Sequence, residues 1–497
     1  MGKPFLTLED LKMCFSIFCC VYGIGTLGVP KNFASAGLPA AILGLFFMAA
    51  VNIYSTVCLS KVLIEAPKSV RTLGDLGYFC LGQWGRWLML VTQLLNCILV
   101  PIAFLVLGGT ICTYMFPGSY GQVTWIILMG ISLLPVCLTP TLKEGAFAAA
   151  AGALGTVLAD VIALYLLVDN ISPDGLDLPQ PSPNFKAVAT VFGNYALAYG
   201  AGIVIPALQR EHSDPTRMPR CIYVTLGIIS VFFLIVGITG VSVVGCQIPG
   251  NLLFSIAGQP TAYGFSANRG GVILAMLSMQ LHVTIAFAVI MTPGFYILER
   301  VLFGLHKYNF DAIHEVEAAY EGAETPDAAE EKGEKPAEQG ERTIDGVALH
   351  DLDSHTYRQP GVYAKVAAMR ILIVAAAVAI ACGWKNRLLD LLDFTGASCI
   401  AISCMILPIV FYLKHFGNRL SLPERIWAYL AVLVSIFFAV YVTYISAKPL
   451  FNPDEPSTAA PSWDDVHFPY CKAGSSYQRI VYTNESYHKN FTSPASF

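Results

Sequence analysis

Long apolar runs, almost free of charge, alternate with short polar loops along most of the chain. A helix needs about 20 apolar residues to cross a bilayer core. Eleven runs approach that length: Leu11–Ala36, Pro39–Ile64, Trp84–Phe116, Val123–Leu138, Glu144–Val168, Phe185–Gln209, Cys221–Cys246, Gly271–Phe303, Val362–Trp384, Leu388–Lys414 and Arg425–Ile445. We refer to them as spans 1 to 11. Span 4 is short, and span 5 carries Asp160 in its interior. The first run lacks a clear basic n-region and is longer than a signal-peptide core, so it reads as a retained span. Residues 69–82 are amphipathic and suit a helix lying on the membrane surface. The chain then divides into an N-terminal segment (1–10), spans 1–8 (11–304), a polar loop (305–361), spans 9–11 (362–446) and a polar tail (447–497).

Lys and Arg in short loops set the sidedness of such a protein. With the N-terminus inside, thirteen basic residues flank the spans on the inner side. Five lie on the outer side: Lys31, Lys186, Arg269, Lys385 and Arg387. The bias favours an inner N-terminus and, with eleven spans, an outer C-terminus. Two glycosylation sequons in the tail, at Asn484 and Asn490, agree with that side. A third, at Asn170, stands too close to a span to weigh. Most of the 14 cysteines fall within spans as small apolar residues. Cys246 and Cys471 both fall on the outer side, either as a disulfide or as two free thiols.

Composition supports this reading. The chain is 55% hydrophobic and 13% charged, with mean hydropathy +0.60, where an ordinary soluble domain carries about 25% charge. The net charge of −4 hides an uneven distribution. Residues 311–353 hold 14 acidic residues against three basic ones, which leaves the rest of the chain net positive. The acidic stretch is expected to be disordered and on the inner side, either a solvated insertion or a docking segment. No basic cluster with interleaved aromatics supports nucleic-acid binding. No HExxH, GxSxG or Walker motif supports an enzyme, and nothing resembles a repeated pore loop.

Two spans break helix rules in the same way. Span 1 contains Tyr22-Gly23-Ile24-Gly25-Thr26-Leu27-Gly28-Val29-Pro30, and span 6 contains Ala198-Tyr199-Gly200-Ala201-Gly202-Ile203-Val204-Ile205-Pro206. Each has a Gly-x-Gly pair near mid-membrane with Pro four or five residues later. Gly and Pro are poor helix formers, and irregular backbone at that depth persists only where it is buried in protein or lines a cavity. Packing glycines at helix crossings are the plain alternative. Matched breaks in two halves point instead to a transporter binding site. Spans 1 and 6 are five spans apart and so cross in opposite directions, as an inverted repeat of five requires. Half-helix N-termini suit a carboxylate, unwound carbonyls suit an ammonium, and together they suit the head of an amino acid.

Several motifs resemble the amino acid/auxin permease family. They are Gly25-Thr26-Leu27-Gly28-Val29-Pro30 followed by Ala36-Gly37, then Thr141-Leu142-Lys143-Glu144, then Phe192-Gly193-Asn194-Tyr195 through Pro206. Gly245-Cys246-Gln247-Ile248-Pro249-Gly250-Asn251-Leu252-Leu253 and Phe394-Thr395-Gly396-Ala397-Ser398 complete the set. The matches run from about residue 8 to 445, with the acidic insertion and the long tail as departures. The resemblance implies an all-α membrane protein of the LeuT type, with two inverted five-helix repeats plus one helix. It also implies secondary active transport of an amino acid by a chain expected to act as a monomer in the lipid bilayer, of the plasma membrane or of an endolysosomal or vacuolar one. On that reading Gly25, Thr26 and Leu27 offer N–H groups to the carboxylate, and Tyr199, Gly200 and Ala201 offer carbonyls to the amine. Gly23 adjoins them, and Tyr195 and Tyr199 shape the side-chain pocket. Rival readings are an amino acid sensor signalling through the acidic loop and a carrier of auxin-like aromatic acids.

Ionisable residues inside spans are costly and mark function by default. His282 and Asp160 are the candidates for proton coupling, each with a purely structural alternative. His titrates near physiological pH, and an Asp shielded from water can carry a proton in the same way. Sodium would need oxygens instead: carbonyls around Cys20, Val21 and Gly23, with the hydroxyls of Ser278 and Thr284. Protons are favoured, by resemblance alone, and neither a cofactor nor a resident metal is expected. At the outer start of span 10, Asp390 and Asp393 read as interfacial carboxylates or as an outer gate with Arg387 or Arg269. Glu299-Arg300, at the inner end of span 8, reads as an interfacial ion pair.

Overall fold

The computed structural model describes residues 4–67, 70–139, 145–169, 181–257, 267–305 and 360–452. It also describes Tyr357, Tyr470, Cys471 and the short strands Thr343–Ile344, Val347–Ala348, Arg479–Thr483 and Ser486–Phe491. Asn484 of the tail, and the acidic segment apart from its two short strands, lie outside the described residues, while Asn490 falls within the last strand.

Every expected span coincides with a helix or a broken pair of helices. Among the described residues nine helices are long and apolar enough to cross a membrane. The pair Leu8–Val21 and Thr26–Ala36, bent by 57°, makes a tenth. Span 4 is the 17-residue helix Gln122–Leu138. At 1.5 Å per residue it reaches about 26 Å, short of the ~30 Å core, so eleven full crossings are not reached by length and composition. The amphipathic stretch begins at Leu73, where Thr72 forms a capping box with Asp75. It turns into span 3 at Gly82, whose φ of 67° and ψ of −153° suit glycine alone.

The breaks expected in spans 1 and 6 are present. Span 1a (Leu8–Val21) ends at Tyr22, and a 3₁₀ turn at Thr26–Gly28 leads into span 1b (Val29–Ala36), with Pro30 in the first turn, where it is tolerated. Span 6a (Phe185–Ala198) is followed by a 3₁₀ turn at Ala201–Ile203 and by span 6b (Ile205–Glu211), again with Pro in the first turn. Span 10 is also irregular, with a π-helical stretch at Gly396–Ile406. Beyond the Gly396 motif, nothing local in the sequence marks it.

The side chains pack into two apolar bodies. Ile17, Phe33, Leu59, Tyr195, Phe233 and Phe411 belong to one, drawn from spans 1, 2, 6, 7 and 10. Phe104, Leu133, Leu167, Phe287, Phe295 and Val374 belong to the other, drawn mainly from spans 3, 4, 5, 8 and 9, with Ile24, Leu27 and Ala34 of span 1 also in it. Cys246 and Cys471 form a disulfide, which fixes the tail to the loop after span 7. Backbone pairing of Pro181 with Cys471 and the Ser182 N–H donating to the Tyr470 carbonyl at 3.2 Å hold the tail to the same face.

Glu299 is not interfacial. It is fully buried, with Arg370 at 2.7 Å and the Tyr357 hydroxyl donating to it at 2.7 Å. Arg370 also donates to the carbonyls of Cys137 and Thr139 at the end of span 4, and its guanidinium lies over Phe295. One buried ion pair therefore joins the C-terminal ends of spans 4 and 8 to the N-terminal half of span 9. Removing one partner of a buried pair costs about 3–5 kcal/mol, because the other is left uncompensated. Arg370→Met is expected to lower the unfolding temperature of the detergent-purified protein by several degrees. A wild-type melting curve would show that the pair contributes nothing.

Candidate functional site

The two breaks meet. A side chain on Gly25 would stand 2.6 Å from Cβ of Ala198, so only glycine lets span 1 approach span 6 this closely. Beside the breaks lies a cavity of about 240 Å³. Spans 1 and 6 give it Cys20, Gly23, Gly25, Ala198 and Gly200. The opposite wall comes from Asn96 and Phe104 of span 3, Gly152 of span 5 and His282 of span 8.

Unwinding leaves backbone groups without helical partners. Among the described residues the N–H groups of Gly23, Ile24 and Gly25 donate no hydrogen bond, and the Gly200 carbonyl accepts none. All four residues line the cavity. The Thr26 N–H, by contrast, donates to the Gly23 carbonyl at 3.1 Å. The Tyr199 and Ala201 carbonyls accept from Ala201 and Val204. The free donors thus sit slightly earlier in span 1 than the motif pointed to, while in span 6 the free acceptor is Gly200, one of the three carbonyls it pointed to. Neighbouring orphan donors and an orphan acceptor suit a carboxylate and an ammonium.

Of the residues expected at the site, Gly23, Gly25, Gly200 and His282 line this cavity, and Thr26, Leu27, Tyr195, Tyr199, Ala201, Asp160 and Thr284 do not. Both tyrosines are fully buried and pack toward Phe233 of span 7. The Tyr199 hydroxyl shares a 2.6 Å hydrogen bond with Ser230. They support span 6 from behind.

The two ionisable candidates differ in placement. Asp160 is buried and accepts a 2.8 Å hydrogen bond from the Tyr22 hydroxyl, which ties span 5 to the end of span 1a. Its other oxygen and the Thr26 hydroxyl are buried without a partner among the described residues. His282 lies in the cavity wall. Its Nδ1 is 3.0 Å from the Gly152 carbonyl, and its Nε2 faces Gly23, where a Cβ would stand 3.0 Å away. The hydroxyls of Ser278 and Thr284 donate to carbonyls of their own helix, and neither residue lines the cavity that Cys20, Val21 and Gly23 line.

Beyond the breaks, on the side of span 1b, the structure is closed by an ion pair. Lys31 of span 1b and Asp393 of span 10 form a buried ion pair at 2.8 Å, with side chains 8% and 5% exposed. Asn32 donates to Asn194 at 3.1 Å one residue along. Asp393 is therefore not interfacial, and its partner is neither Arg387 nor Arg269. Arg269 instead donates to the carbonyls of Tyr114 and Met115. Lys31 went unrecognised because it follows Pro30 near a span end, although an intramembrane Lys is a signal in itself. Above the pair opens a polar vestibule of about 690 Å³ that includes Lys186, Lys385, Arg387 and Asp390.

At the opposite end, on the side of span 1a, Arg217 between spans 6 and 7 binds Asp10 at 2.6 Å, and His212 approaches the same carboxylate at 3.0 Å. Asp10, His212 and Cys221 lie close enough to suggest a metal site. The Arg217 fork already contacts both Asp10 oxygens, so the donor set fits an ion pair rather than a cation.

The sequence pattern described as transmembrane amino acid transporter protein matches residues 10–448. The chain belongs to that family. Relatives of this transporter family include amino acid transporter AVT1I of Arabidopsis thaliana, 24% identical over 48% of this chain and 60% of that protein. Vacuolar amino acid transporter 7 of Saccharomyces cerevisiae is 24% identical over 50% and 52%. The chain thus spans somewhat over half the length of these two. A manganese transporter of Eremococcus coleocola superposes with a TM-score of 0.50 at 11% identity, over 92% of this chain and 90% of that one. The likeness concerns the fold, which is of the LeuT type.

Breaking the outer pair leaves one buried charge uncompensated. In Lys31→Met, amide hydrogen exchange across 29–36 is expected to rise by at least about tenfold, equivalent to ~1.4 kcal/mol of opening. The double variant Lys31→Met with Asp393→Leu is expected to recover most of the protection. Unchanged exchange in the single variant would remove the pair as an outer fastening.

Proposed function

We propose that the protein carries amino acids across a membrane by alternating access, with the substrate head held at the paired breaks of spans 1 and 6. The observation that carries this reading is the juxtaposition of free N–H groups at Gly23–Gly25 with the free Gly200 carbonyl in one cavity, closed beyond the breaks by the Lys31–Asp393 pair. Carboxylate and ammonium would complete those groups. Spans 1 and 6 on one wall and spans 3, 5 and 8 on the other are the units that would rock about it.

His282 is the group we assign to proton coupling. It stands in the cavity wall on span 8 and faces Gly23 at the break in span 1, so protonation changes the charge at the paired breaks themselves. Asp160 supports span 1 from behind through Tyr22. The membrane we favour is an organellar one, with the N-terminus on the cytosolic side, in keeping with the basic inner loops and with the vacuolar relative.

Purified protein in proteoliposomes is expected to take up labelled neutral amino acids under a pH gradient, with sodium making no difference. In His282→Ala, concentrative uptake is expected to be lost while exchange of internal for external amino acid persists. Uptake of no amino acid under either gradient would overturn the transport reading. Sodium-driven uptake indifferent to pH would overturn only the coupling.

A further inference from the structure

Asn96 is the residue in the cavity wall whose chemistry the backbone site leaves unused. It lies on span 3 about a turn from Val100, on the wall opposite the breaks. The residue is 4% exposed, and its Oδ1 is wholly buried with no hydrogen-bond partner among the described residues. A buried carboxamide without a partner is costly, and this one borders a space of ligand size. The remaining wall around it is apolar: Val100, Leu197, Ile203, Ala286 and Ile290 among others. The other nitrogen- or oxygen-bearing side chain there is His282, whose Nδ1 is already engaged by Gly152. The lining contains no Asp, Glu, Lys or Arg.

We propose that Asn96 reads the substrate side chain, so that the transporter selects neutral amino acids carrying a carboxamide or hydroxyl group over both charged and purely aliphatic ones. This rests on the amino acid transport proposed above. A charged side chain would enter a wall with nothing to neutralise it. An aliphatic one would leave the Asn96 carboxamide unpaired. A carboxamide both donates and accepts, so it satisfies an amide or a hydroxyl equally.

The test uses the full-length protein in proteoliposomes, with labelled glutamine, serine, leucine and lysine as probes. The wild type is expected to prefer glutamine and serine. Asn96→Leu is expected to lose about tenfold in kcat/KM for glutamine, the equivalent of one hydrogen bond, while leucine uptake holds or rises. Asn96→Asp is expected to gain lysine uptake, a gain that a misfolded protein does not show. Equal losses for glutamine and leucine in Asn96→Leu, with no lysine uptake in Asn96→Asp, would overturn the assignment and leave transport standing. A wild type that moves none of the four, or any other amino acid, would overturn both.

Discussion

Backbone N–H and C=O groups cannot be left bare in hydrocarbon, and the structure is arranged around two places where the helical ladder is interrupted. Spans 1 and 6 unwind at the same depth, and their free groups turn toward each other and toward a shared cavity rather than toward lipid. Gly25 against Ala198 sets the closeness of that approach. Tyr195, Tyr199 and Phe233 fill the space behind span 6, and Asp160 holds the end of span 1a through Tyr22. The irregular backbone is thus enclosed on every side except the one facing the cavity.

The buried polar contacts fall into two kinds. Some fasten helix ends to one another. Arg370 with Glu299 ties spans 4, 8 and 9, and Arg217 with Asp10 ties the base of span 1a to the loop after span 6. Others join elements around the cavity. Lys31 with Asp393 joins spans 1b and 10 beyond the breaks, and His282 faces Gly23 across the cavity. Buried ion pairs are poor evidence for stability but good fasteners, because a half-broken pair is costly and the closed arrangement is therefore discrete. The Cys246–Cys471 disulfide fixes the tail at Cys471 to the loop after span 7, beside the vestibule that Tyr470 lines.

The sequence by itself determined the class, the approximate bounds of every span and the two breaks. These are local properties: apolar run length, and Gly and Pro where a helix cannot tolerate them. It also brought out Gly23, Gly25, Gly200 and His282, because each is anomalous where it stands in the chain. The tertiary structure decided everything that depends on which face of a helix meets which neighbour. It turned Tyr195 and Tyr199 away from the cavity, gave Asp393 the partner Lys31 across 362 residues of chain, and buried Glu299 against Arg370. It exposed the orphan carboxamide of Asn96, which in sequence is one polar residue in an apolar run. Hydrophobic periodicity records burial, but a span here is buried both by protein and by lipid, so the pattern does not say which face looks inward. Only packing does.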